Sequence, residues 1–275
     1  MKYRLARVNR VRQVTPHMMR VSLAGEDLRK VDVEAPDAYV KLFFPREGEQ
    51  RPVLPPLLTD DVTSWYRTYL QMPDDIRPPM RTYTIRAHRG DEVDIDFVLH
   101  GDTGPAGKWA CRAKPGDHVA FVGPAGLHSP PEDTDWQLLV GDETALPAIG
   151  AIVEGLPRGA LAHVYVEIDG PAEEQRLTTA GDVRITWVHR TGGHGTALLD
   201  TVSAAVFPGG KPYAWISGES GLVKHVRRHL VRDRGFDKRA ITFTGYWRLG
   251  VNQEDDSRES LRQYDLTRRA QPQGA

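Results

Sequence analysis

The sequence predicts a β + α/β protein, an N-terminal antiparallel β-barrel followed by a C-terminal doubly wound parallel sheet. Residues 1–130 read as short alternating strands punctuated by Gly/Pro turns. Residues 131–250 alternate apolar strands with helix-like segments. Between them the Pro-rich "HSPPEDTD" (128–135) marks the change of rhythm and the domain boundary.

In order, "YRLARVNRVRQV", "MMRVSLAG" and "AYVKLFFP" are the early strands. Residues 45–80 then form a proline-studded insertion, long enough that its "TSWYRTYL" should carry a short helix or a function. "RTYTIR" (81–86) alternates like a strand but bears an arginine at each end. "VDIDFVL" sets Val93, Ile95, Phe97 and Leu99 on one face and Asp94 and Asp96 on the other. "KPGDHVAFVGPAG" is turn, strand and turn. In the second half the strands are "WQLLVGD", "AHVYVEI", "VRITWV", "PYAWISG" and "AITFTGYW". Within "SGLVKHVRRHLVRDRG", Leu222, Val223, Val226 and Leu230 share a helical face, and Gly235 suits the stop. Residues 251–275 are a polar tail.

Composition narrows the function. The 275 residues can bury two cores, and 36 Lys+Arg against 37 Asp+Glu leave no global basic excess for nucleic acid. Cys111 is the sole cysteine, which excludes an internal disulfide framework and cysteine-based metal centres. The basic N-terminus has no signal-type apolar core, and no apolar run reaches membrane-spanning length, so a cytoplasmic location is expected. No metal site is predicted. His225 and His229 have ligand spacing, but "HVRRH" puts two arginines between them. "SGESG" fails as a nucleophile elbow because Leu222 stands in place of the last glycine.

Two motifs carry chemistry. In "RTYTIR" an arginine can hold a diphosphate, a tyrosine can lie on a flavin, and a threonine can bond the ring edge. "HGDTGPAGKWA" (100–110) offers three glycines, a proline and a helix start, a seat for pyrophosphate. The bland reading makes the first a solvent-facing strand and the second a turn plugged by Trp109.

Together with "KLFFP", "ITWVHR", "SGES" and "TGYWRLG", in this order, these motifs resemble the siderophore-interacting proteins. That family comprises FAD-dependent ferric-siderophore reductases of the ferredoxin-reductase-like superfamily, and the resemblance spans roughly residues 1–250. It implies a barrel that binds FAD and an NAD(P)H-type second domain. Arg81, Thr82, Tyr83 and Thr84 would contact FAD, with Arg81 on its phosphates; His100, Gly107, Lys108 and Trp109 would supply the phosphate loop. Thr144, Tyr246 and Trp247 would approach from the second domain. Lys41 and Arg248 would meet the substrate, with Lys108 or Arg86 extending a positive rim. The flavin carries the chemistry, so no catalytic residue is assigned.

The expected activity is reduction of ferric siderophores to release iron(II), with electrons from NADH, NADPH or ferredoxin. A reductase with another acceptor and a non-catalytic siderophore-binding flavoprotein remain alternatives. One departure bears on the electron donor: "GDETALP" stands where related proteins have a Gly-rich turn, so Asp142 and Glu143 would oppose a dinucleotide phosphate. Glu167 and Asp169 would accept from a ribose hydroxyl and favour NADH, unless Arg176 or Arg190 reverses this.

Overall fold

A computed structural model describes residues 2–58, 61–99, 104–251 and 258–259. The polar tail beyond Val251 lies almost wholly outside the described residues.

Seven antiparallel strands form the first sheet: β1 (Tyr3–Thr15), β2 (Met18–Ala24), β3 (Tyr39–Phe43), β4 (Met80–Thr84), β5 (Ala87–Arg89), β6 (Glu92–Val98) and β7 (His118–Ala125). Their order is β4-β3-β7-β1-β2-β6-β5. The expected barrel is therefore barrel-like but not closed. Its two edge strands, β4 and β5, are consecutive along the chain, and Ile85 and Arg86 carry the backbone across the gap. There the Ile85 N–H donates to the Ala38 carbonyl (2.7 Å) and the Arg86 N–H to that of Asp94 (2.8 Å). Continuity of the chain thus does the work of the missing ladder.

The alternation in β6 does what period-two patterning requires. Val93, Ile95 and Phe97 are fully buried beside Val40, Leu42 and Phe44. Asp94 and Asp96, on the opposite face, are also buried. Arg20 grips Asp96 through two bonds (2.6 and 2.7 Å), and Ser22 and Arg89 each reach Asp94 at 2.6 Å. Helix α1 (Val62–Gln71) is the element inside the insertion, capped by Asp61, which accepts from the Ser64 N–H (2.7 Å). It buries Trp65 and Tyr69 against Phe43, Met80 and Val122 on the outer side of the barrel wall. Helix α2 (Pro105–Arg112) follows β6.

The second sheet is wholly parallel, with strands β8 (Trp136–Asp142), β9 (Leu161–Ile168), β10 (Asp182–His189), β11 (Pro212–Glu219) and β12 (Ile241–Trp247). Their order, β10-β9-β8-β11-β12, reverses direction beside β8, the position where such sheets open a crevice. Helices α4 (Thr196–Ala204) and α5 (Ser220–Arg232) cover one face, where Leu222, Val223, Val226 and Leu230 are buried as their spacing predicts. Helix α3 (Leu146–Gly155) covers the other face and shares a core with Met18 of β2.

Two groups of polar contacts that join the sheets centre on Arg86 and Asp37. The Arg86 guanidinium forms a bidentate pair with Glu154 of α3 (2.7 and 2.7 Å). Asp37 accepts from the N–H groups of Leu127 (2.9 Å) and His128 (3.0 Å) and from the Trp215 indole (2.9 Å). Arg86 therefore belongs to no exposed positive rim. It is 7% exposed and already neutralised.

Candidate functional site

The pleat of β4 sorts its motif onto two faces. Tyr83 is paired with Val40, and its ring lies 4.4 Å from Phe97 and 6.4 Å from Phe44, spanning the open side of the barrel. Burial pushes its phenol above the usual range. Arg81 lies on the same face, two residues before it, and donates to the Met80 carbonyl (2.8 Å). Thr82 and Thr84 take the other face with their partners Lys41 and Tyr39. Thr84 is buried, and Tyr246 of β12 packs edge-on to Trp215 at 6.5 Å.

Lys41 lies on the rim of a cavity of about 730 Å³ shared with Arg4, Lys30, Tyr39 and Trp65. Its Nζ stands 5.0 Å from the Tyr66 ring centroid, and burial lowers its pKa. Arg248 is exposed beyond β12, bridged to Val251, and does not line this cavity. The two expected substrate contacts are thus not gathered into one pocket.

Helix α2 begins after Gly104 with Pro105 in its first turn and has no side-chain cap. Gly107 is half-buried and Lys108 exposed. Trp109 is the core plug of the bland reading, its ring 5.0 Å from Phe44 and 5.7 Å from Phe97. Its indole anchors the helix in the barrel core. His100 lies outside the described residues. An uncapped helix start, Lys108 and the Arg81 guanidinium are a donor set that suits the diphosphate of FAD.

At the C-terminal edge of the parallel sheet the acids stand where the sequence puts them, but Asp142, Glu143 and Glu167 are buried. Asp142 is 1% exposed and accepts from the N–H groups of Thr144 (2.9 Å) and Glu219 (2.7 Å), the Thr144 hydroxyl and the Trp247 indole (3.0 Å). Burial, and then the charge of Glu143, pushes its carboxyl up. Thr144 therefore belongs to this turn, and Trp247 is held edge-on to His194 at 5.1 Å. Glu167 is wholly buried and accepts from the Gly195 N–H (3.0 and 3.1 Å) and Arg190 (3.1 Å), so it is not open to a ribose. Arg190 also pairs with Glu143 and approaches Asp169 (3.7 Å), which leaves it no surplus charge to select a 2′-phosphate. Sequence reasoning missed the roles of Asp37, Glu154 and Glu219. All three act through partners distant in sequence or on the backbone, and no local pattern signals them.

A family model described as a siderophore-interacting FAD-binding domain matches residues 7–128, and one described as a siderophore-interacting protein matches residues 134–250. A ferric vibriobactin reductase of Vibrio cholerae is 30% identical over 250 residues, 89% of this chain and 89% of that one. An NADPH-dependent ferric-chelate reductase of Escherichia coli is 30% identical over 252 residues, 90% of this chain and 93% of that one. The crystal structure of a siderophore utilization protein from T. fusca superposes with a TM-score of 0.79 at 37% identity, covering 91% of this chain and 94% of that one.

Proposed function

This chain belongs to the siderophore-interacting protein family, and from that membership we propose that it reduces ferric siderophores with FAD, releasing iron(II). The observation that carries the reading is the bidentate pair between Arg86, at the end of the flavin-type motif, and Glu154 of α3, which fastens that motif to the second domain. In this reading residues 1–130 form the flavin domain, 131–250 the electron-donor domain and 251–275 a tail. Electrons come from NADH, NADPH or a ferredoxin, and the work is done in the cytoplasm. Among the described residues no helix is long and apolar enough to cross a membrane.

FAD, when bound, takes up two electrons and passes them singly to iron(III). The chain's own residues orient it. Arg81 and the start of α2 hold the diphosphate, Tyr83 and Thr84 fix the ring, and Tyr246 and Trp247 close the second-domain side. Iron(III) prefers the hard oxygen ligands of a siderophore and iron(II) is held far less tightly, so reduction releases the metal without a protein ligand.

The test is anaerobic. Yellow holoprotein is mixed with NADH, NADPH or reduced ferredoxin and flavin bleaching is followed. Ferric siderophore is then added and iron(II) trapped with a chromogenic chelator. Bleached flavin that never yields trapped iron(II) sinks the proposal. Arg81→Ala is expected to lose a charge-assisted bond of about 1.5–3 kcal/mol, weakening FAD retention roughly ten- to a hundredfold. Equilibrium dialysis measures it, and retention equal to wild type removes Arg81 from the diphosphate.

Lys41 and Arg248 are proposed to steer anionic chelates, from separate positions around the flavin edge. Removing both charges should slow reduction of anionic ferric chelates at low salt, and the difference should shrink as salt screens the field. Equal stopped-flow rates for variant and wild type would leave shape as the recognition element.

A further inference from the structure

In a doubly wound sheet a dinucleotide lays its pyrophosphate on backbone N–H groups at the helix starts beyond the C-terminal strand ends. Here four of those groups are already used. Before α3, the Thr144 N–H donates to Asp142 (2.9 Å). At the opening of α4, the Gly195 N–H donates to both oxygens of Glu167 (3.0 and 3.1 Å). In the first turn of α5, the Leu222 N–H donates to Glu219 (2.8 Å), and the Glu219 N–H itself donates to Asp142 (2.7 Å). The chain bends to allow this. Gly218 sits at φ +134°, and a Cβ there would come within 2.6 Å of an Asp142 oxygen.

These caps are built in. All three carboxylates, and Glu143 beside them, are at most 9% exposed. A phosphate that displaced one would strand a buried acid, at a cost well above that of an ordinary lost bond. The local charge opposes it too, since Arg190 is the cation among these acids and is shared by Glu143, Glu167 and Asp169. The residues at the sheet edge therefore do not fit a nucleotide diphosphate.

We infer that, in the reductase proposed above, a dihydronicotinamide delivers its electrons through the ring-bearing half alone, and the adenosine diphosphate half adds nothing to binding. The usable class of electron donor is then any reduced nicotinamide mononucleotide or simple N-substituted dihydronicotinamide, not the dinucleotides alone. In the transfer the C4–H bond of the dihydro ring breaks and the hydrogen leaves with both electrons. The flavin is reduced, taking one further proton from solvent, and the ring remains as the oxidised pyridinium.

The experiment is anaerobic stopped-flow on the FAD-loaded protein without iron, so its outcome is separate from that of ferric reduction. NADPH, NADH and reduced nicotinamide mononucleotide should bleach the flavin with second-order rate constants within about threefold of one another, and millimolar ADP should not compete. Glu143→Ala, which removes an acid and releases part of Arg190, should raise the ratio of NADPH to mononucleotide about tenfold. A wild-type dinucleotide more than about tenfold faster than the mononucleotide, or inhibition by ADP, overturns the inference. So does an unmoved ratio in the variant. Absence of bleaching by all three compounds overturns it as well, while ferric reduction can still be tested with dithionite-reduced flavin.

Discussion

Replacing Arg86 by alanine is expected to destabilise the folded chain by about 3 kcal/mol, the lower end of the range for breaking one side of a buried ion pair. Arg86 is 7% exposed and gives Glu154 two 2.7 Å bonds, with Nε 3.9 Å from Asp96. The lower end applies because the Glu154 side chain is 36% exposed and water can solvate part of the stranded charge. Asp96, almost wholly buried, keeps Arg20. For a chain of this size the loss corresponds to a fall in melting temperature of roughly 6–12 °C. The double variant Arg86→Ala with Glu154→Ala should recover part of the loss, because no carboxylate is then left without its partner. A single variant that melts with wild type would show that the pair is not a clasp between the sheets.

Asp37→Ala should be of similar size, again about 3 kcal/mol. It removes the acceptor for three N–H groups at once, and a stranded buried donor costs about 1–3 kcal/mol. The Trp215 indole is the buried one of the three and dominates; the Leu127 and His128 amides are part-buried and regain some water. Asp37→Asn keeps an oxygen for the two backbone groups and turns its amide towards the indole, so it should lose less than alanine. Denaturant midpoints, with Trp215 emission as a local reporter, measure both. If Asn proves as harmful as Ala, the charge of Asp37 matters more than its hydrogen bonds.

The parts of the molecule legible from sequence are those that local periodicity encodes. Val93, Ile95 and Phe97 alternate because a pleat buries every second residue, and Leu222, Val223, Val226 and Leu230 recur because a helix face does. The strand–helix rhythm of the second half likewise gives a parallel sheet. How the two edges of the open barrel approach each other is not legible, since it depends on Ile85 and Arg86 bridging them instead of on any repeat. At the candidate site, the threonines and Tyr83 occupy a strand as the motif requires, but the face each occupies follows from register with Lys41, Val40 and Tyr39. The sequence suggests Asp142 as a charge opposing a phosphate and Glu167 as an acceptor for a ribose hydroxyl. Their backbone partners, Thr144, Glu219 and Gly195, lie next door or many residues away, and composition does not distinguish a capping acid from a solvated one. Trp109 shows the converse: a glycine-rich loop suggested a ligand contact where packing takes the ring.

The absence of a side chain at Gly150 has a consequence for how this sequence can change over generations. A Cβ at that position would stand 3.1 Å from three atoms of the Arg86 guanidinium, closer than a rigid, doubly bonded group readily yields. A side chain at position 150 therefore requires the Arg86 clasp to shift, although the two positions lie far apart in the gene. A lineage that acquires alanine at 150 first must carry a displaced clasp until position 86 shortens, whereas one that loses the arginine first finds position 150 freed of constraint. Because loss of Arg86 alone leaves Glu154 without its partner, either first step costs stability and the two positions are energetically coupled.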